Sequence, residues 1–393
     1  MTAEDLPQLN TDLYNAHGVS VDIETNAFEE YKPDSKIVSI AFTLWDKEST
    51  DPVKIWALPL YHPESPFRDK WETVLKYVGR ALVNVPVRIA HNGKFDGRWL
   101  VQFNVPITFT FDTMLAAHLL DENRSKSLES LSREELVIPT WKIPTKDLLN
   151  KPLGQVLKYN AEDTLNTARL YFVLRKELKQ YPNLARIFML LMMPASNQFI
   201  HVERAGVWID RGILHRNWAV VKENLERVTD QLMSYVPEKH PFDVSFNASH
   251  FLRWLLFEYL ELPVLKRSDK TQQPSLSEEV IIQIDHPIIG LLLERTKWSR
   301  YDRAFFGAYD ELMDENDRIH TTFRLHGTVT GRLSSGKADA EKVQARVDRG
   351  INLQQTPRDR FIRGVYGSPP GYTFISSDYS QVEFRLAAML ADA

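Results

Sequence analysis

Three segments near the N-terminus, GVSVDIE (18–24), KIVSIAFTLW (36–45) and VKIWALP (53–59), are rich in β-branched and aromatic residues and are bounded by turn formers. Runs of this kind are neighbouring strands of a sheet, so the first part of the chain has to build a sheet. A fourth short apolar run, VRIA (87–90), leads directly into HNGKFDGRWLVQF, where Asn92 stands at a helix N-cap position and apolar residues then recur at helical spacing. Residues 68–83 and most of 113–180 share that helical period, which predicts a mixed α/β domain over 1–185. Residues 186–317 carry almost no strand alternation and read as long amphipathic helices, at 211–235, 249–260 and near 287–313. A helix end runs through FIHVERAGVWID (199–210) to a turn at Gly206, Asn247 is a capping-type residue, and LPVLKRSDKTQQPSLS (262–277) is a polar, basic loop. In 318–393 the character changes again: HTTFRL (320–325) and TFISSDY (373–379) look like strands separated by a loop-rich segment.

A length of 393 residues fits two or three domains. The cysteine count is zero, which excludes disulfides, Cys-ligated zinc, iron–sulfur clusters and a cysteine nucleophile. A metal must then sit on oxygen or histidine, and a carboxylate site selects a hard ion such as Mg²⁺. The net charge of -4 rules out a uniformly basic coat but allows a local basic groove. The opening MTAEDLPQLN is no secretory signal, and no apolar stretch reaches the ~18 residues of a membrane span. A soluble, cytoplasmic protein with no membrane partner is expected.

Asp22 and Glu24 are two apart on a predicted strand, so their side chains share a face. Asp96 falls in the first turn of the helix entered at Asn92, and Tyr159 and Asp163 are four apart on a helix. Four acids converging from a strand and two helices repel one another unless cations lie between them, which is the requirement of two-metal phosphodiester hydrolysis. A phenol at Tyr159 would orient the attacking water. Alone, a D-x-E on a strand is commonly structural, and Tyr159 with Asp163 is commonly a helix-surface pair; their order and context make the set specific.

VDIET, HNGKFD and YNAED resemble, in order, the three motifs of the proofreading 3′–5′ exonucleases of the DEDD superfamily, and the tyrosine resembles the Tyr subtype. FDTMLAAHLLDENRSKSLESL (111–131) is similar to the family's segment between the second and third motifs, with Asp112 structural and not a metal ligand. The resemblance implies a ribonuclease-H-like fold, two Mg²⁺ ions (Mn²⁺ able to substitute) on Asp22, Glu24, Asp96 and Asp163, and removal of single nucleotides from DNA 3′ ends.

Residues 318–366 hold ten basic residues (Arg318, Arg324, Arg332, Lys337, Lys342, Arg346, Arg349, Arg358, Arg360 and Arg363) against Asp339, Glu341, Asp348 and Asp359, a local charge of +6. Such a segment, interleaved with Gly, Ser, Asn and Gln, suits phosphate contact. Asp378, at the end of a predicted strand with a helix from about Gln381, is placed to hold Mg²⁺ against a triphosphate.

TVTGRLSS (328–335), INLQQTP (351–357) and DYSQVEFR (378–385) together resemble the palm of family A DNA polymerases, the class of bacterial DNA polymerase I and many phage replicases. PSLSEEVI (274–281) and the helices around it resemble the thumb. By this resemblance Asp378 is the first polymerase metal ligand, the Tyr379 carbonyl a further one, Glu383 the gate against a 2′-hydroxyl, and Tyr379, Gln381 and Glu383 border the bound dNTP. Arg332 reads the minor groove at the primer terminus, Asn352 and Gln354 contact primer–template DNA, and Lys266, Arg267 and Lys270 meet duplex phosphates. Gln355 and Thr356 depart from the family's NLQNIP. The resemblance also implies fingers and a second palm carboxylate that this sequence does not contain. The expectation is a split polymerase, of phage type, completed by a second polypeptide. The alternatives are a stand-alone 3′–5′ exonuclease with a vestigial DNA-gripping palm, or a non-catalytic DNA-binding subunit.

Overall fold

The computed structural model describes residues 2–391 apart from 50, 53, 146 and 337–349. The chain forms two compact units, Met1–Gly206 with His320–Gln355, and Val207–Ile319 with Thr356–Ala393. Lys337, Lys342, Arg346, Arg349, Asp339, Glu341 and Asp348 of the basic window lie outside the described residues.

In the first unit, helix α1 (Leu6–Asn15) precedes β1 (Gly18–Thr25), β2 (Ile37–Trp45) and β3 (Lys54–Pro59). Then follow α2 (Trp71–Leu82), β4 (Val87–Ala90), α3 (Gly93–Gln102), the short β5 (Phe111–Asp112), α4 (Thr113–Leu120), α5 (Leu128–Leu136) and the long α6 (Leu153–Leu178). The sheet order is β3-β2-β1-β4-β5. β1, β2 and β3 pair antiparallel, while β4 runs parallel to β1 and to β5. The helical period of 68–83 resolves into a 3₁₀ turn at Arg68–Lys70 and then α2.

β1 has two different faces. Val19, Val21 and Ile23 are buried in the main apolar core together with residues of β2 and α2. Ser20, Asp22 and Glu24 alternate onto the opposite face, in register with Thr43, Ala41 and Ser39 of β2. Helix α6 meets that face with polar groups of its own: the Thr43 hydroxyl donates to Thr164 Oγ1 (2.9 Å) and the Ser39 hydroxyl to Asn160 Oδ1 (3.0 Å). A buried interface of this kind is stable only because its polar atoms find partners. It also explains why α6 reads as weakly amphipathic: part of its buried side is Asn and Thr.

Asn92 stands at the start of α3 as the spacing predicts, but in the left-handed region (φ 59°) and without a side-chain cap bond. The cap is supplied by Asp112, whose carboxylate accepts from the backbone N–H groups of Asn92 (3.2 Å), Gly93 (2.8 Å), Met114 (2.9 Å) and Leu115 (3.2 Å). One buried side chain therefore caps both α3 and α4. Asp112→Ala is expected to cost about 2–4 kcal/mol, because buried donors at two helix starts lose their acceptor. Urea denaturation measures it; a loss below about 1 kcal/mol would contradict the double-cap role.

α7 (Pro182–Ile187) runs through a π-helical turn at Phe188–Met192 into α8 (Met193–Ala205), which ends at Gly206 with φ 64°. Gly97 brings α3 close to α8, since a Cβ there would lie 2.4 Å from Ile200 Cδ1. The expected strand over 320–325 is only Phe323–Arg324, paired with Ser334–Ser335. The rest of that segment is held by side chains, described below.

The second unit carries α9 (Arg211–Met233), α10 (Ser249–Arg253) extended by a π-helical turn to Tyr259, α11 (Glu278–Ile281), α12 (Pro287–Arg300), another π turn at Tyr301–Gly307 and α13 (Ala308–Leu312). α14 (Arg360–Arg363) and α15 (Val382–Ala391) complete it. The long helices fall where the period predicts them, with a separate apolar core around Val228, Phe251, Leu255 and Ile288. Val207–Trp208 pairs with Arg318–Ile319 as a two-residue strand, too short to show alternation. Two expectations are corrected. Ala248, not Asn247, is the N-cap of α10, and the Asn247 Oδ1 accepts instead from Arg295 (3.0 Å). Residues 373–379 form no strand: a strand exists only by pairing, and no described segment pairs with them, so they run exposed up to α15. Among the described residues no helix is long and apolar enough to cross a membrane.

Candidate active site

β1 and α6 bring Asp22, Glu24 and Asp163 together: each offers a carboxylate oxygen, and these three atoms lie within 4.8 Å of one another. Among the described residues this is the one group of three or more acids or histidines with that geometry. Glu24 and Asp163 are buried, and Asp22 is partly so. Asp22 is also fixed by Asn160, whose Nδ2 donates to Asp22 Oδ2 (2.6 Å) and to its carbonyl (3.2 Å). Asn160 sits inside YNAED but was not singled out in the sequence. Its neighbour Tyr159 carries the chemistry that draws attention there, whereas the role of Asn160 is visible only in contacts.

Asp96 enters from α3. β1 pairs with β4 only over Gly18–Ser20, so beyond that point the edge of β1 facing α3 has no strand partner. Asp96 Oδ1 fills the gap by accepting from the Ile23 N–H (3.0 Å). It stands beside the trio, outside the 4.8 Å group. Burial pushes its carboxyl up to about 8, against the backbone bonds that favour the charged form. Burial, and then the neighbouring acids, hold Asp22 and Glu24 well above the ordinary carboxylate range. Burial and the same acids push the Tyr159 phenol far up, so it keeps its proton at neutral pH.

A segment between α5 and α6 supplies two groups that carry no signal in the amino-acid pattern. The Trp141 indole N–H donates to Asp163 Oδ1, and the Lys142 ammonium reaches both Asp163 oxygens (2.9 and 2.7 Å) and the Tyr159 hydroxyl (3.2 Å). TWKIPT has neither periodicity nor a motif, and only the folded chain connects it to the acids.

On its other side, α3 carries a buried ion network. Lys94 and Arg98, one turn apart, both bind Glu203 of α8, and Arg98 Nε lies 3.7 Å from Glu30. Glu203 Oε1 also accepts from the Phe323 N–H (2.7 Å), Lys94 donates to the Phe323 carbonyl, and the Glu203 carbonyl meets His320 Nδ1 (2.9 Å). Within the first unit, residues 320–324 are thus tied to α3 and α8 through this network. Burial raises the Glu203 carboxyl, but Lys94 and Arg98 outweigh it and hold it below its ordinary value.

Residues 1–179 match the family model "3′-5′ exonuclease", and residues 212–393 match "DNA polymerase family A". Over most of its length the chain is thus similar to family A DNA polymerases that carry a 3′–5′ exonuclease domain. It is 26% identical to DNA polymerase I of Borreliella burgdorferi over 99% of its own length and 41% of that protein. With DNA polymerase I of Pseudomonas aeruginosa the figures are 26%, 96% and 41%, and with that of Synechocystis 29%, 77% and 31%. It therefore spans about two fifths or less of these curated relatives. Among solved structures it shares its fold with the polymerase domain of Pol1 from M. smegmatis in complex with DNA primer-template and dNTP. The TM-score is 0.74 at 20% identity, covering 100% of this chain and 62% of that one.

The polymerase-type residues are divided between the units. Arg332, Asn352 and Gln354 belong to the first. Ser335 joins their two motifs: its hydroxyl donates to Asn352 Oδ1 (3.3 Å) and to Gln354 Oε1 (3.2 Å), and Gln354 Nε2 donates to the Leu333 carbonyl (2.6 Å). The loop carrying the exposed Arg332 is tightened by Thr328, whose hydroxyl donates to the Arg332 carbonyl (2.7 Å). Asp378, Tyr379, Gln381 and Glu383 belong to the second unit and are exposed, with Gln381 left-handed (φ 52°) just before α15. Lys266, Arg267 and Lys270 lie at an exposed loop tip closed by an Arg267–Pro274 bridge and by Arg267 Nη1 donating to the Gln272 carbonyl (3.0 Å). Of the two residues that depart from the family pattern, Thr356 is buried against Tyr366, 3.2 Å from its hydroxyl.

Proposed function

We propose that the first unit is a proofreading 3′–5′ exonuclease of the Tyr subtype, removing nucleotides from single-stranded DNA 3′ ends by two-metal phosphodiester hydrolysis. The observation that carries this is the grouping of Asp22, Glu24 and Asp163 within 4.8 Å, all buried or partly buried oxygen donors in a chain without cysteine. Such a donor set fits hard divalent ions, Mg²⁺ or Mn²⁺, and acids held above their ordinary range by burial and by one another favour a cation between them. Bound ions would activate the attacking water and stabilise the leaving oxygen. The chain's own part is to hold Asp22 with Asn160, to set Asp96 against the β1 edge, and to present Tyr159 as a neutral O–H donor that orients the water. Because this phenol keeps its proton, it positions and does not act as the base. Mg²⁺ should support release of mononucleotides from a 5′-labelled single strand, shortening it from the 3′ end, and EDTA should stop it. Digestion that persists in EDTA, or that proceeds from the 5′ end, contradicts the assignment.

The polymerase-type part is assigned to primer–template binding and, through Asp378 with Tyr379, Gln381 and Glu383, to Mg²⁺ and dNTP. The functional division into exonuclease (1–185), thumb (186–317) and palm start (318–393) follows the motifs. The clasp of Asn352 and Gln354 on Ser335 supports a shared DNA-facing surface with Arg332. Lys266, Arg267 and Lys270 fit duplex phosphates. Polymerisation is assigned to these residues only together with the fingers and remaining palm of the family, tested by adding a polypeptide that carries them. Mixing that polypeptide with this chain should give primer extension that Asp378→Ala abolishes; extension unaffected by that substitution removes Asp378 from the site.

A further inference from the structure

Lys142 lies in a segment, residues 137–145, that has no helix or strand of its own. Val137 (φ 54°) and Asp147 (φ 59°) bracket it in the left-handed region, an uncommon conformation for a β-branched valine. From there the Lys142 ammonium reaches into the acid cluster, 2.7 and 2.9 Å from the two oxygens of Asp163 and 3.2 Å from the Tyr159 hydroxyl. It also lies 5.0 Å from the Tyr159 ring centre and 5.4 Å from that of Trp141. An exposed ion pair would contribute little, but this one falls on a carboxylate whose side chain is 5% exposed. Asp163 in turn faces Asp22 and Glu24 within 4.8 Å. Lysine is the cation that moves the Asp22 and Glu24 carboxyls back towards their ionised forms, against burial and the neighbouring acids. A divalent ion held by Asp163 would take the carboxylate that Lys142 pairs with, and two cations that close repel strongly.

We propose that Lys142 is a built-in counter-ion that competes with divalent metal for Asp163, holding the acid cluster together without metal and withdrawing when metal binds. The inference rests on the reading of the cluster as a metal site. The Lys142 side chain is 27% exposed, so withdrawal needs rotation of one flexible side chain and no rearrangement of β1 or α6.

The test is Mn²⁺ binding by the full chain, followed by calorimetry and electron paramagnetic resonance. Lys142→Met keeps the stem and removes the charge. It should tighten the weaker Mn²⁺ site about tenfold, the size of effect that one adjacent charge has on a carboxylate equilibrium. Its thermal midpoint in EDTA should fall below that of the wild type, and saturating Mn²⁺ should close the difference. Lys142→Arg should stay near the wild type on both measures. Unchanged or weaker Mn²⁺ binding by a folded Lys142→Met protein overturns the proposal. If that variant does not fold, reductive methylation of the wild type decides: Lys142 should be protected in EDTA and modified with Mg²⁺, and equal modification in both overturns it. Failure of the metal-site reading looks different, because the wild type and Asp22→Ala/Glu24→Ala would then bind Mn²⁺ equally or not at all, which overturns both.

Discussion

Asp22→Ala/Glu24→Ala is expected to lower 3′-end digestion by a factor of a thousand or more, while leaving the metal-free protein as stable as before or more so. The first effect follows from what the two carboxylates hold: metal stabilisation of a phosphoryl transition state is worth several kcal/mol, and ~4 kcal/mol is about a thousandfold in rate. The second follows from electrostatics. Asp22 and Glu24 are pushed up by burial and by each other's neighbours, so without metal their ionised forms oppose folding. Removing them relieves that repulsion, which offsets or exceeds the packing lost with the side chains. A nuclease assay and a thermal melt in EDTA, run on the same preparation, separate this outcome from simple unfolding. A variant that loses activity and also melts far below the wild type would mean that the acids are structural.

Glu203→Gln should show the reverse pattern, a large loss of stability, about 3–5 kcal/mol at pH 7, with the acid cluster untouched in sequence. Glutamine has the size of glutamate and can still accept from the Phe323 N–H, but it leaves Lys94 and Arg98 with no carboxylate on Glu203 to share. Both cations are buried, and Glu203 itself is 1% exposed, so solvent cannot take over. The pH dependence has a definite sign. The Glu203 carboxyl is held below its ordinary value in the folded chain, so its contribution is complete above that ordinary value. The contribution is lost as pH falls through the lower folded value. Wild type and Glu203→Gln should therefore differ most near neutrality and converge on acidification below about pH 4. Urea midpoints at pH 7 and at acid pH measure this; a constant gap across the range would show that the lost interaction is not ionic.

The exonuclease sheet was legible because strands 18–25, 37–45 and 54–59 are continuous apolar or alternating runs, and the acids were legible because they recur in three short motifs. What escaped the sequence has no local signature. Helix α1 has a mixed composition, and only its burial of Leu9 and Leu13 in the core defines it. Asp112 serves as a cap for a helix twenty residues before it, and Lys142 meets Asp163 from an irregular segment. The strand expected at 373–379 has the right residues but no partner, which no single segment reveals about itself.

The anchoring of residues 320–324 on Glu203 also sets an order of events during synthesis. The Phe323 N–H that binds Glu203 lies 120 positions later in the chain. At roughly 5–20 residues per second, that is on the order of ten seconds of translation. For that interval the sheet, α3 and α8 have already left the ribosome, while Lys94, Arg98 and Glu203 share a network still open to water. The N-terminal unit is then complete in sequence up to Gly206 but not in structure, and its last buried charges close only as the returning segment emerges.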